Sequence, residues 1–373
     1  MTIGIDASPA ARREKTGVEW YTWHLLQQFA RLDKENSYRL YTSQPFEGED
    51  RALLANNFQE KILTSPTKWF WSQTRPTWEL LRNKPDRLFI PADAMPLIHP
   101  KNSTTTIHDI GFIPFKNTYE WKRQQYLYWT TWYATKFAKK IMTVSEFTKS
   151  EIIKYYHVNP ERITVAHLGY DKATYTPADQ SNCIADNQIL LNLGLSGIPY
   201  ILTIAPLERK KNLPTLIRAF ALVKEQYPDL KLVIAGKKRL AKEEIMREIA
   251  QNPYAQDIIH RGWVSQEEKV ALLRNAQVFA FPSLYEGFGL PIIEAQSCET
   301  PVVASYAASL PEIGGDGALY HETTSVEDLA QKLIQAIGDE ALRNDLIAKG
   351  KANITRFSWE QCAKTTLETI LKD

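Results

Sequence analysis

The residues best suited to chemistry lie in one stretch, Ser283-Leu-Tyr-Glu286-Gly287-Phe288-Gly289-Leu290-Pro291-Ile-Ile-Glu294-Ala295, directly after the apolar run Gln277-Val-Phe-Ala-Phe281. An apolar run ahead of a glycine-rich loop, with proline placed to open a helical first turn, reads as strand, turn and helix. Gly287 and Gly289 let the backbone bend tightly and approach a ligand closely. Leu290 and Pro291 then open a helix whose free N–H groups and positive dipole end suit a diphosphate. Glu286 sits in the loop and Glu294 about one turn into the helix, so both carboxylates can face one crevice. A carboxylate beside Ile292 and Ile293 is costly to bury without hydrogen bonds, and a pair of sugar hydroxyls would supply them.

Other strand ends carry chemistry of the same kind. Ile204-Ala-Pro206-Leu-Glu208-Arg209-Lys210-Lys211-Asn212 places cations ahead of an amphipathic helix, where the dipole alone disfavours them. A bound anion resolves that conflict. Thr104-Thr-Thr-Ile-His108-Asp109 puts a histidine at the carboxyl end of a strand, where α/β sheets bind ligands. The first strand leads through Asp6 to Thr16-Gly17 and a helix, without the Gly-x-Gly-x-x-Gly fingerprint of a dehydrogenase. His260-Arg-Gly262-Trp263-Val264-Ser265 follows another strand, with Ser265 and Glu268 forming a capping box.

Together these stretches resemble glycosyltransferase family 4, the retaining GT-B enzymes marked by a Glu-x7-Glu signature, over nearly the whole chain and most densely from 198 to 320. Within that family the chain is similar to bacterial surface-polysaccharide mannosyltransferases. The resemblance implies two Rossmann-like doubly wound domains with the active site in the cleft between them. It further implies that Glu294 holds the donor ribose, that Glu286 with the backbone of Gly287, Phe288, Gly289 and Leu290 grips the donor sugar, and that His108 orients it. Lys211 matches the lysine that neutralises the diphosphate. Many members carry arginine where Pro206 stands, so Arg209 or Lys210 is the expected second cation. Gly17 is expected near the donor phosphate, and Val264 near the nucleotide base. The expected catalytic set is His108, Glu286 and Lys211, with no metal and no resident cofactor.

The elements that position these residues alternate strand-like and helical patterns from the N-terminus onward, as in parallel α/β sheets. Strands are expected at Thr2 to Asp6, Tyr38 to Thr42, Arg87 to Ile90, Thr104 to His108, Ile141 to Val144 and Ile163 to His167. A second series comprises Tyr200 to Ile204, Leu230 to Ala235, Ile258 to His260, Val278 to Phe281 and Val302 to Ala304. The polar, turn-rich stretch between them divides the chain into a domain of 1–171, a linker of 172–197, a nucleotide-sugar domain of 198–355 and a helix of 356–373 crossing back to the first.

At 373 residues the chain suits two domains, and a net charge of +2 gives no global argument for nucleic acid. Cys183, Cys298 and Cys362 are few and far apart, as in a reducing compartment, and no run approaches a membrane span. A cytoplasmic or peripheral protein is the expectation. Lys68-Trp-Phe-Trp71, Arg75-Pro-Thr-Trp78 and the stretch from Tyr119 to Lys140 are aromatic and basic. Tyr126, Trp129, Tyr133 and Phe137 share one helical face, and Trp121, Tyr128 and Trp132 share nearly the opposite one. Burial on both sides is the plainer reading; contact with an acceptor sugar or an anionic membrane surface is the sharper one.

The function expected is transfer of a hexose, mannose from GDP-mannose first, to a hydroxyl of a glycan or lipid-linked acceptor in surface-polysaccharide synthesis. The alternatives are a UDP-hexose-dependent transferase of the same family, a GT-B nucleotide-sugar epimerase, and an inactive nucleotide-sugar-binding scaffold.

Overall fold

Short runs of β-branched and aromatic residues, buried on both faces, form the strands of two parallel sheets in a computed structural model that describes residues 1–13, 15–52, 54, 56–64, 71–92 and 94–372. The chain divides into two compact units, Met1–Gly169 with Phe357–Asp373, and Tyr170–Arg356.

The first unit holds β1 (Thr2–Asp6), β2 (Ser37–Thr42), β3 (Phe58–Ile62), β4 (Arg87–Ile90), β5 (Ser103–Ile107), β6 (Lys140–Thr143) and β7 (Ile163–Val165), in the order β3-β2-β1-β4-β5-β6-β7. The second holds β8 (Tyr200–Ile204), β9 (Lys231–Ala235), β10 (Ile258–Gly262), β11 (Val278–Phe281), β12 (Val302–Ser305) and β13 (Ala318–His321), in the order β10-β9-β8-β11-β12-β13. Both sheets are doubly wound, and their order reverses between β1 and β4 and between β8 and β11. In open parallel sheets ligands bind at such reversal points, beyond the carboxyl ends of the strands.

In the first unit the helix Gly17–Leu32 packs on the C-terminal helix Trp359–Leu371, with the His24 and Trp359 rings stacked at 4.6 Å. The chain crosses itself so closely there that a Cβ on Gly169 would lie 2.1 Å from the Trp359 nitrogen. Only glycine fits.

The stretch 172–197 is not the linker that its polar composition indicates. It contains the helix Gln180–Asn192, whose Asp179 cap accepts from the Ser181 and Asn182 N–H groups at 2.8 and 3.0 Å. Asp186 pairs with Arg274 at 3.1 Å, and Tyr175, Leu190 and Leu195 enter the core around β8 and β11. The Ser, Asn and Asp residues that read as turn formers cap and solvate a helix instead. This region therefore belongs to the second unit.

The aromatic stretch also departs from its plainer reading. In the helix Trp121–Phe137 the buried residues are Thr131, Ala134 and Thr135, while both aromatic stripes lie largely on the outer side. Of the companion stretch, Lys68, Trp69, Phe70 and the side chain of Trp71 lie outside the described residues, and Trp78 is exposed.

Candidate functional site

Strands β8 and β11 are neighbours, so the loops that leave them meet. The first becomes a single turn, Arg209–Lys211, and the Leu284 N–H donates to the Lys210 carbonyl at 2.8 Å, fastening one loop to the other. Asn212 comes next in the left-handed region, φ 53°, and redirects the chain into the helix Leu213–Gln226. Its amide donates to the Thr323 carbonyl at 2.9 Å and accepts from the Thr215 hydroxyl at 2.8 Å. Asparagine tolerates that conformation better than most residues. Lys211 is thereby aimed at Glu286, Nζ to Oε1 2.5 Å, with both side chains only 12% exposed. The cation ahead of the helix is neutralised within the protein by a carboxylate from the adjoining loop.

The glycine loop is held from beneath. The Ser309 hydroxyl, fully buried, lies 2.6 Å from the Phe288 carbonyl and 3.0 Å from that of Glu286. Gly289 takes φ +118°, and a Cβ there would stand 3.0 Å from Leu310 Cδ2. The helix Leu290–Ser297 starts at that point, with Pro291 in its first turn. Gly287 and Phe288 are buried and Leu290 half-buried.

Glu294 is buried and lies 2.5 Å from the Lys269 ammonium, Oε2 to Nζ. The Tyr175 hydroxyl also hydrogen-bonds it; burial first, and then the Glu294 charge, hold that phenol protonated far above its ordinary range. Each signature carboxylate is thus already matched to a lysine. Lys269, Tyr175 and Ser309 escape sequence reasoning because each acts on the signature from a distant part of the chain. Arg209 forms an ion pair with Glu244 at 2.7 Å. Val264 is half-buried against the core around β8 and β11, after Gly262 at φ 73° and an exposed Trp263.

In the first unit, His108 comes directly after β5 and its Nε2 donates to the Pro91 carbonyl at 2.8 Å. A carbonyl can only accept, so the neutral ring carries its proton on Nε2 and presents Nδ1 as an acceptor. Burial lowers its pKa from the ordinary 6.5 and favours that neutral form. The Tyr21 ring meets it edge-on at 4.7 Å, and Tyr21 is fixed in turn by a 3.0 Å hydrogen bond with Thr106. Gly17 opens its helix with nothing within 4 Å of a Cβ built on it, so local packing does not require glycine there. The preceding Thr16 is tied through its N–H and hydroxyl to Glu19. Among the described residues, no group of three or more His, Cys, Asp or Glu is arranged to hold a metal ion.

Comparison with known proteins matches residues 15–174 to the family described as Glycosyltransferase Family 4, and residues 194–353 to Glycosyl transferases group 1. The chain is 31% identical to O-antigen chain mannosyltransferase B of Escherichia coli, over 72% of its own length and 69% of that protein's. Sucrose-phosphate synthase of Thermosynechococcus elongatus shares the fold at a TM-score of 0.77 and 16% identity, covering 98% of this chain and 97% of the other. HepE of Anabaena, in complex with UDP and glucose, does so at 0.75 and 16%, over 100% and 99%.

Proposed function

Since this chain belongs to glycosyltransferase family 4 and is a glycosyltransferase of the GT-B fold, we propose that it transfers mannose from GDP-mannose, with retention, to a hydroxyl of a glycan or lipid-linked acceptor in surface-polysaccharide synthesis. The observation that carries this reading is the Lys211–Glu286 pair beside the Gly289 helix start, a cation, a carboxylate and free N–H groups gathered at the crevice of one sheet. The similarity to O-antigen chain mannosyltransferase B supports the choice of mannose.

In this reading Lys211, a second cation from Arg209 or Lys210, and the N–H groups at Gly289 and Leu290 receive the diphosphate. Glu294, set by Lys269 and Tyr175, holds the ribose hydroxyls. Val264 and its neighbours border the base. Glu286 and the backbone of Gly287 and Phe288 hold the sugar. Gly17 and His108 are the substrate contacts proposed for the first unit, His108 accepting a hydrogen bond from a hydroxyl at Nδ1. The bond from the anomeric carbon to the diphosphate oxygen breaks with its electron pair left on the diphosphate. The acceptor oxygen bonds to the same face of that carbon, and its proton passes to the departing diphosphate. No resident cofactor or metal enters this scheme, so a chelator should leave the rate unchanged. The reading places the work at the cytoplasmic side of an anionic membrane, in keeping with three free cysteines.

A thermal-shift panel of GDP, UDP, ADP and their sugar conjugates tests the donor, because ligand binding to the folded state raises apparent stability. Selective stabilisation by GDP, followed by an α-linked product in proton NMR after turnover of GDP-mannose, is the expected result. Selective stabilisation by UDP would replace mannose with a UDP-hexose, the choice favoured by the fold shared with HepE in its UDP complex. Turnover of a nucleotide sugar with no acceptor would turn the reading to epimerisation, and no nucleotide response from folded protein would leave only a scaffold.

A further inference from the structure

The helix Trp121–Phe137 inverts the usual arrangement of an amphipathic helix. Its inner line is Thr131, Ala134 and Thr135, all buried. Opposite these, Lys122, Trp129 and Lys136 fall at seven-residue spacing, two helical turns apart and therefore along one outer line. Trp129 is 58% exposed, Trp121 70% and Phe137 52%. Leu127, Trp132 and Tyr133 pack partly against the core, while Trp121, Trp129 and Phe137 are left in water. The same surface continues into the preceding loop, because the Tyr133 hydroxyl donates to the Leu97 carbonyl at 2.6 Å, and Leu97 and Ile98 are exposed beside it.

The rings form a connected strip. Trp129 meets Trp132 at 5.7 Å and Tyr133 meets Phe137 at 4.6 Å. The charge along this stretch is predominantly basic. From Lys116 to Lys140 the chain carries Lys116, Lys122, Arg123, Lys136, Lys139 and Lys140 against the single acid Glu120. Tryptophan and tyrosine combine an apolar body with a polar tip, and lysine extends a charged head along an apolar stem; both suit the zone between acyl chains and headgroups. A protein partner complementary to so basic and so aromatic a strip would have to desolvate its lysines. A lipid surface leaves them hydrated among anionic headgroups.

We propose that this strip, centred on the Lys122–Trp129–Lys136 line with Leu97 and Ile98 at its margin, is the surface by which the protein lies on an anionic bilayer. The rings enter the headgroup boundary and the lysines meet phosphate. No helix among the described residues is long and apolar enough to cross a membrane, so the contact is interfacial. It would bring the first unit to the surface that carries a lipid-linked acceptor. This deepens the function proposed above by identifying the contact surface, yet its primary readout, vesicle binding, needs no donor or acceptor.

The experiment is flotation of the full chain with phosphatidylcholine vesicles, with and without phosphatidylglycerol, at low and high salt. Binding that requires phosphatidylglycerol and falls with salt is expected. Lys122→Glu and Lys136→Glu should each weaken it at least about fivefold, the worth of one basic residue near an anionic surface. Trp129→Ser should weaken it while the control Ile184→Ser, also at an exposed position, does not, and near-ultraviolet circular dichroism should show each variant folded. Absence of flotation with any vesicle would overturn the proposal, as would equal binding to pure phosphatidylcholine. Unaltered binding by all three variants would remove this strip from it. Self-association lost in Trp129→Ser, without vesicle binding, would assign the strip to a second copy and overturn the membrane reading. Transfer to a short soluble acceptor should remain near the unmodified rate in all three, so failure of the chemistry and failure of the membrane contact are read separately.

Discussion

The Lys211 ammonium stands 2.5 Å from the Glu286 carboxylate, although the two residues belong to loops that leave different strands. They meet because β8 and β11 are adjacent and their loops are pinned together at Lys210 and Leu284. In the mechanism proposed above, this pair holds Glu286 ready to accept sugar hydroxyls and Lys211 near the place where diphosphate charge develops. Glu286→Gln should reduce kcat/KM at least about 100-fold, the scale of removing a preorganised electrostatic contact from a transition state. Loss of stability should stay below about 3 kcal/mol, since the pair keeps some solvent access. Steady-state kinetics and urea unfolding of the same preparation separate the effects, and full transfer activity in the Gln variant would remove Glu286 from the site.

Asn212 and Gly289 place the two loops by backbone conformation, φ 53° and φ +118°. Asn212→Gly keeps the left-handed turn available and loses only the contacts with Thr323 and Thr215. Asn212→Ala loses the same contacts and adds left-handed strain of about 1 kcal/mol. The alanine variant should therefore be the less active and the less stable of the two. Gly289→Ala should be worse for nucleotide binding than either, because strain coincides with a 3.0 Å approach to Leu310. A titration with GDP followed by calorimetry ranks the three; equal affinities would show that these conformations do not set the site.

Ser309 is a positioning residue, touching the glycine loop through the Phe288 and Glu286 carbonyls. Its removal takes away the single hydroxyl proton shared between these carbonyls, at a cost of about 1–2 kcal/mol. If the strain emerges as loop freedom, Ser309→Ala should raise the donor KM roughly tenfold, about 1.4 kcal/mol in binding, with kcat less affected. Ser309→Thr should restore part of it. A change confined to melting temperature, with donor KM unmoved, would make the hydroxyl purely structural.

The parts legible in the sequence are those whose physics is local. Lys231–Ala235, Val278–Phe281 and Val302–Ser305 are short apolar runs buried almost throughout, and their pattern declares a strand. Phe58–Ile62 escapes such reading because it is an edge strand whose Gln, Glu and Lys side chains meet solvent, and Ala318–His321 because four residues of mixed character carry little periodicity. The glycine loop and the cationic turn are legible as motifs, but their partners are not. Lys269, Tyr175 and Ser309 are ordinary residues until the fold brings them beside Glu294 and the loop. A helical wheel likewise shows the faces of Trp121–Phe137 without saying which one packs, and the small Thr131 and Ala134 side chains decide that. The division at 172–197 fails for a related reason, since polar residues cap a helix as readily as they fill a linker.

Acid should weaken the fold before most carboxylates titrate. Burial holds His108, His260 and His321 below the ordinary 6.5, each neutral ring donating to a carbonyl, those of Pro91, Gly236 and Glu322. Below pH 6.5 the unfolded chain takes up protons on these rings that the folded chain resists. The stability they contribute is therefore fully present above that value and is lost as pH falls toward the lower folded values. The carboxylates held low, among them Asp33 and Asp257, act below their ordinary 3.8 and add nothing to this window. Urea unfolding between about pH 7.5 and pH 5 should show stability falling with pH and proton uptake on unfolding. His321→Asn, at a side chain only 1% exposed, should flatten that slope while lowering stability at neutral pH. A slope unchanged by the substitution would mean that His321 carries no share of the linkage.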